Sequence, residues 1–127
     1  MIRNTHLRRL LGTILGGLAG ASFCLSILPT VMRLIGAGDE TAVAYRLSSY
    51  LVYTVLVWAA GGWSVTRTSA PLAAAMTLAV VGLVTGTLLA WFGLANEAKL
   101  LAAGACSGLI YGFFGGLILG RVAGTPI

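Results

Sequence analysis

The chain has 127 residues, of which 58% are hydrophobic and 9% charged, with a formal net charge of +5. Soluble domains carry about 25% charged residues, so this balance excludes a water-soluble fold, and the length suits a single domain. The basic excess does not point to nucleic acid, because the seven arginines and one lysine stand at the ends of apolar blocks rather than along one face.

Four long apolar blocks carry the fold. Each approaches or exceeds the roughly 20 residues that a helix needs to cross a ~30 Å hydrocarbon layer. Helices are expected because lipid offers backbone amides no partners, and the short alternating segments of a membrane barrel are missing. The expected fold is all-α: an integral membrane four-helix bundle, in one transmembrane domain over residues 1–127, with both ends in the cytoplasm.

In chain order, Arg3, Arg8 and Arg9 precede a first span at Leu10 to Pro29. The arginines and the run to Ala21-Ser22-Phe23-Cys24 imitate a signal peptide. A lipoprotein site wants a small residue where Phe23 stands, so the segment is expected to stay as the first helix. Pro29 removes a backbone donor near its outer end, and Ile35 to Glu40 reads as a turn-rich outer loop. Met32, Arg33 and Leu34 are placed along the interface between them.

The second span is Tyr45 to Val65. A short inner connection then leads to Pro71, expected in the first turn of the next helix with Thr68 or Ser69 as its cap. The third span is Leu72 to Phe92 and the fourth Leu100 to Gly120. Tyr45 and Trp91 fall at outer boundaries and Trp63 at an inner one, where amphipathic rings prefer the headgroup zone, while Trp58 lies deeper and packs between helices or against lipid. With the N-terminus inside, Arg3, Arg8, Arg9, Arg67 and Arg121 are cytoplasmic, as the positive-inside rule requires, and the three acids Asp39, Glu40 and Glu97 lie outside. The pattern fits a multi-pass protein of a bacterial inner membrane.

The strongest constellation is a glycine zipper in the fourth span, where Gly104, Gly108, Gly112, Gly116 and Gly120 recur every four residues. Gly12, Gly16 and Gly20 repeat the spacing in the first span, and Gly82 and Gly86 in the third. Glycine is a poor helix former, so a repeated spacing points to close backbone approach. Depth matching pairs Gly12, Gly16 and Gly20 with Gly120, Gly116 and Gly112, so the first and fourth helices are the expected close pair. A four-residue step drifts about 40° around the helix, which leaves Gly104 and Gly108 for another helix or subunit.

Chemistry is sparse. No ionisable residue lies near the middle of a span, which argues against a proton-driven pump. Cys24 and Cys106 are expected to be ordinary buried thiols, with Cys24 continuing the first glycine row and Cys106 turned away from the fourth. His6 stands among arginines without partners for a metal. Ser22, Ser26, Ser48, Ser49, Thr54, Thr77, Thr85 and Ser107 can satisfy their hydroxyls within or between helices, but no base stands ready to activate them. No enzyme, metal or cofactor is expected.

The stretch from Leu47 to Ala59, with its Leu47-Ser48, Val52-Tyr53 and Trp58-Ala59, follows Arg9-Leu10-Leu11 and Gly16-Gly17 in the first span. It resembles the small bacterial membrane proteins of iron uptake that are encoded beside PepSY-type membrane proteins. The likeness runs from Leu7 to Pro71, about half the chain, and the glycine-rich fourth span departs from it. The resemblance implies an accessory role in iron handling and transfers no catalytic residue. The expected function is a non-enzymatic accessory or assembly subunit of a larger inner-membrane complex, with the lipid bilayer and other membrane subunits as partners. The alternative is a small homo-oligomeric channel or facilitator whose path forms between subunits.

Overall fold

A computed structural model describes residues 4–36, 39–94 and 97–123, and every regular element among them is helical. The chain order is α1 (Thr5–Ser22), a π turn (Phe23–Ile27), α2 (Leu28–Leu34), α3 (Glu40–Ser48), α4 (Leu51–Val65), α5 (Pro71–Gly93) and α6 (Ala98–Ala123). Three helical units are long and apolar enough to cross a membrane, and a fourth is if the bent pair α3 and α4 counts as one span. This is compatible with a multi-pass membrane protein. Ala37 and Gly38 of the expected outer loop, Arg3, and the tail from Gly124 lie outside the described residues.

Asn4 starts α1 by accepting hydrogen bonds on its side-chain oxygen from the amides of His6 (3.0 Å) and Leu7 (3.2 Å). The first helix does not end at Pro29. It runs from Thr5 to Leu34 as one 30-residue apolar unit, and the wide turn just before the proline explains how. A proline ring crowds the carbonyl four residues back and brings no N–H of its own, and a π turn loosens the ladder at that place. The helix stops where Gly36 takes up φ 76°, a left-handed conformation that costs glycine nothing.

The second span is also not the continuous helix expected over Tyr45 to Val65. α3 and α4 meet at a 76° bend. Ser48 Oγ donates to the Tyr45 carbonyl at 2.6 Å, and Tyr50 closes the bend by donating its amide to Leu47 O at 2.9 Å and its hydroxyl to Phe92 O at 3.2 Å. Local serine-to-backbone bonds of this kind compete with the helical ladder. α4 alone has 15 residues, roughly 22 Å of helix. The bend falls inside the Leu47 to Ala59 stretch that carries the family resemblance.

α5 opens with Pro71 at its first turn, but neither expected cap acts. Ala70 holds the cap position without a side-chain bond, and Thr68 Oγ1 turns back to the Val65 carbonyl at 2.8 Å.

The largest departure concerns which helices touch. α6 packs along α5, and α1 packs along α4, whereas α1 and α6 barely meet. Each four-residue step along α6 is answered by a four-residue step back along α5. A Cβ added at Gly104, Gly108, Gly112 or Gly116 would strike the backbone carbonyl of Gly86, Gly82, Leu78 or Ala74 respectively, and one at Gly120 would meet the Ala74 side chain. All five glycines therefore serve one neighbour, and none is left over. The expectation failed because it assumed a straight partner. A row whose period exceeds 3.6 residues stays in contact when the two helices wrap around each other in the right-handed sense.

Likewise, Gly12, Gly16 and Gly20 face α4 and its C-terminal turn, not Gly120, Gly116 and Gly112. A Cβ on Gly12 would stand 2.8 Å from the Gly62 carbonyl oxygen, and one on Gly16 would stand 2.9 Å from Gly62 Cα. Gly62, four residues from Trp58, is the receiving position that the sequence reading passed over. The α1–α6 interval instead holds a gap of about 200 Å³ lined by Leu15, Ala19, Leu78, Gly115, Ile118, Leu119 and Val122.

Candidate functional site: an aromatic cluster between two lateral grooves

Where the α1–α4 pair meets the α5–α6 pair, three aromatic rings fill the space. Phe23, Trp58 and Tyr111 stand with ring centroids 5.6 to 5.8 Å apart, Phe23 stacked on Tyr111 and Trp58 tilted against both. Two row glycines make this possible. A Cβ on Gly20 would lie 2.5 Å from Trp58 Cβ, and one on Gly86 would lie 3.3 Å from Phe23 Cζ. The glycines thus do more than bring backbones together, because those two also seat the rings of the opposite elements.

The cluster's polar atoms all find partners. Trp58 Nε1 donates to Thr85 Oγ1 at 3.1 Å, and Thr85 Oγ1 in turn donates to the Val81 carbonyl at 2.7 Å. Tyr111 OH donates to Ala19 O at 3.3 Å, which ties α6 to α1. Cys24 Sγ donates to Leu47 O at 3.3 Å and fastens the π turn to the last turn of α3. Such bonds matter where no water competes, since each unsatisfied group in an apolar setting is costly. Trp58, Phe23 and Cys24 are fully buried.

Two grooves flank the cluster. One, of about 560 Å³, runs between the C-terminal part of the first helical unit (Ile27, Val31, Ile35) and α6 (Ala103, Cys106, Ser107, Ile110, Tyr111, Phe114). The other, of about 350 Å³, lies between α4 (Tyr53, Thr54, Val57) and α5 (Thr85, Leu88, Leu89, Phe92), with Tyr50 at its bend end. Tyr111 borders the first groove, and Thr85, which accepts from Trp58, borders the second, so each groove reaches the cluster. Their walls are almost wholly apolar, suited to acyl chains or helix side chains rather than to a hydrated solute.

The ten glycines expected at a packing or partner surface thus divide between two antiparallel contacts inside the chain. Gly12, Gly16 and Gly20 belong to the first, and Gly82, Gly86, Gly104, Gly108, Gly112, Gly116 and Gly120 to the second. Cys24 is buried as expected, but Cys106 is exposed and lines the larger groove; both thiols are free. Among the described residues no three His, Cys, Asp or Glu side chains come together as a metal site. His6 is exposed, and Arg67 lies over the Trp63 ring at 5.3 Å.

Sequence reasoning missed Phe23 and Tyr111 as site residues. Their signal was faint, because aromatic residues in apolar spans look alike whether they face lipid or one another. The π turn that begins at Phe23 leaves no trace except Pro29, two residues beyond its end. Comparison of the chain with protein-family models, with curated proteins and with solved structures gives no match.

Proposed function

We propose that the chain is a four-span integral protein of a bacterial inner membrane, with both ends inside, and that it acts as a non-enzymatic accessory or assembly subunit of a larger membrane complex. One observation carries this reading. The glycine rows are used up within the chain and the central space is filled by aromatic rings, so the features left for interaction are the lateral grooves. The larger groove exposes small side chains, Ala103 and Ser107, between bulky neighbours, a surface on which the helix of a larger subunit can seat. The resemblance of the Leu47 to Ala59 stretch suggests iron uptake as the setting. A homo-oligomeric channel has less behind it, because the glycines that would line a subunit contact already face α4 and α5.

The test is purification in mild detergent followed by native mass spectrometry. The reading expects a reproducible hetero-complex, which Ser107→Trp disperses while the isolated chain keeps its thermal stability. A defined homo-oligomer that conducts ions or solutes in liposomes contradicts it.

A further inference from the structure

Helix ends gather one sign of charge at one end of the molecule. The start of α1, the end of α4, the start of α5 and the end of α6 lie together because α1–α4 and α5–α6 are antiparallel pairs joined through the short α4–α5 connection. Arg8, Arg9, Arg67 and Arg121 stand there, while Asp39, Glu40 and Glu97 belong to the opposite end. Arg9, Arg67 and Arg121 are exposed, as arginines at a membrane face ordinarily are.

Arg8 is different. It is 7% exposed, and its Nε is buried with no hydrogen-bond partner. The cause is its place in the first glycine row, one four-residue step before Gly12. Gly12 faces Gly62 and the Thr66 side chain and Gly16 faces Trp58, so the same register sets Arg8 against the last turn of α4 and the connection beyond it. Close packing of α1 on α4 holds the guanidinium in. At the same end of the molecule, α5 begins without an acid in its first turn and without a side-chain cap.

We propose that Arg8 is the anchor of a binding site for a phosphate-bearing anion, a lipid headgroup or free phosphate, at the end of the molecule that the preceding reading sets in the cytoplasm. A guanidinium meets a phosphate through two parallel N–H donors, one of which is Nε in the side-on mode, so an anion that displaces the groups now covering Nε supplies the acceptor it lacks. Burial makes the contact stronger than at Arg9, where water competes. Basic pockets between helix ends on the cytoplasmic side are where anionic headgroups bind.

The experiment uses the purified chain in a neutral detergent, so it is decided apart from the question of a protein partner and of orientation. Thermal stability is followed while phosphatidylglycerol, phosphatidylcholine or inorganic phosphate is added. Phosphatidylglycerol should raise the melting temperature of the wild type and of Arg9→Gln in a saturable way, and leave Arg8→Gln unmoved. Protection by inorganic phosphate alone, again lost in Arg8→Gln, would assign the same site to a soluble anion. If Arg8→Gln does not fold, Arg8→Lys, which keeps the charge but loses the paired donors, should need at least tenfold more ligand. The proposal fails if no anion protects the wild type, if phosphatidylcholine protects as well as phosphatidylglycerol, or if the Arg8 variants respond as Arg9→Gln does.

Discussion

The two helix pairs solve the same packing problem to different extents. Between α5 and α6 every glycine of the α6 row meets α5, from Gly104 on Gly86 through Gly112 on Leu78 to Gly120 on Ala74, so the backbones stay close along almost the whole contact. Between α1 and α4 the backbone contact spans only Gly12 and Gly16, after which Trp58 pushes in at Gly20 and the π turn begins. The first pair is therefore a continuous ladder. The second closes at one end and opens at the other, and the opening is where the aromatic rings, the buried thiol and both large grooves are found. A row of glycines draws two helices together, and interrupting the row makes room for a site.

Breaking the ladder should have the largest effect. Gly108→Leu places a branched side chain where even a methyl would strike the Gly82 carbonyl, and such overpacking costs ~3 kcal/mol or more. Loss of folded protein on detergent extraction is the expected outcome. Gly115→Leu, on the same helix but with nothing within 4 Å of its Cβ position, should change stability by less than about 0.5 kcal/mol. Equal damage from the two would show that the α5 contact does not set the sensitivity of the row, since leucine is the better helix former at both positions. Gly93, although at the end of α5, is no neutral control, because its Cβ would meet Leu47 Cδ2 at 2.7 Å.

Opening the other pair further should cost somewhat less. Trp58→Ala removes the ring that packs against both Phe23 and Tyr111 and leaves a cavity, a loss of about 3 kcal/mol by analogy with large-to-small core changes. Thr85 keeps its bond to Val81 O, so no polar group is stranded. Thermal unfolding in detergent should show a lowered midpoint with a folded chain remaining at low temperature. An unchanged midpoint would mean that the rings fill space without holding the two pairs together.

How much of this was legible in the sequence differs between the same regions. Hydropathy located the four apolar blocks, since burying a backbone in lipid demands long helices, and the first, third and fourth blocks lie inside continuous helical units. The four-residue glycine spacing pointed to close approach but did not name the partners, which the contacts of the glycine rows place on α4 and α5 rather than between α1 and α6. Depth matching pairs any two antiparallel helices equally well, and the receiving positions Gly62, Leu78 and Ala74 carry no periodic signature of their own. The bend at Ser49 and Tyr50 was hidden in an apolar run, because Ser48 and Tyr50 act through local and long-range hydrogen bonds that hydropathy does not weigh. Pro29 was visible, but its consequence was a π turn rather than a helix end. Arg8 stood in the Gly12 row from the start; its charge suggested exposure, and its spacing told the better story.

The pairing itself can be tested most directly by disulfide trapping in membranes, in a chain with Cys24→Ser and Cys106→Ser. The Cβ position of Gly120 lies 2.6 Å from Ala74 Cβ, and disulfides join Cβ atoms about 3.8 Å apart, so a small adjustment at the helix end suffices. Ala74→Cys combined with Gly120→Cys should cross-link rapidly under mild oxidation. Gly12→Cys combined with Gly120→Cys, the combination that an α1–α6 pair would favour, should stay reduced. Cross-linking of the second combination but not the first would contradict the two-pair architecture.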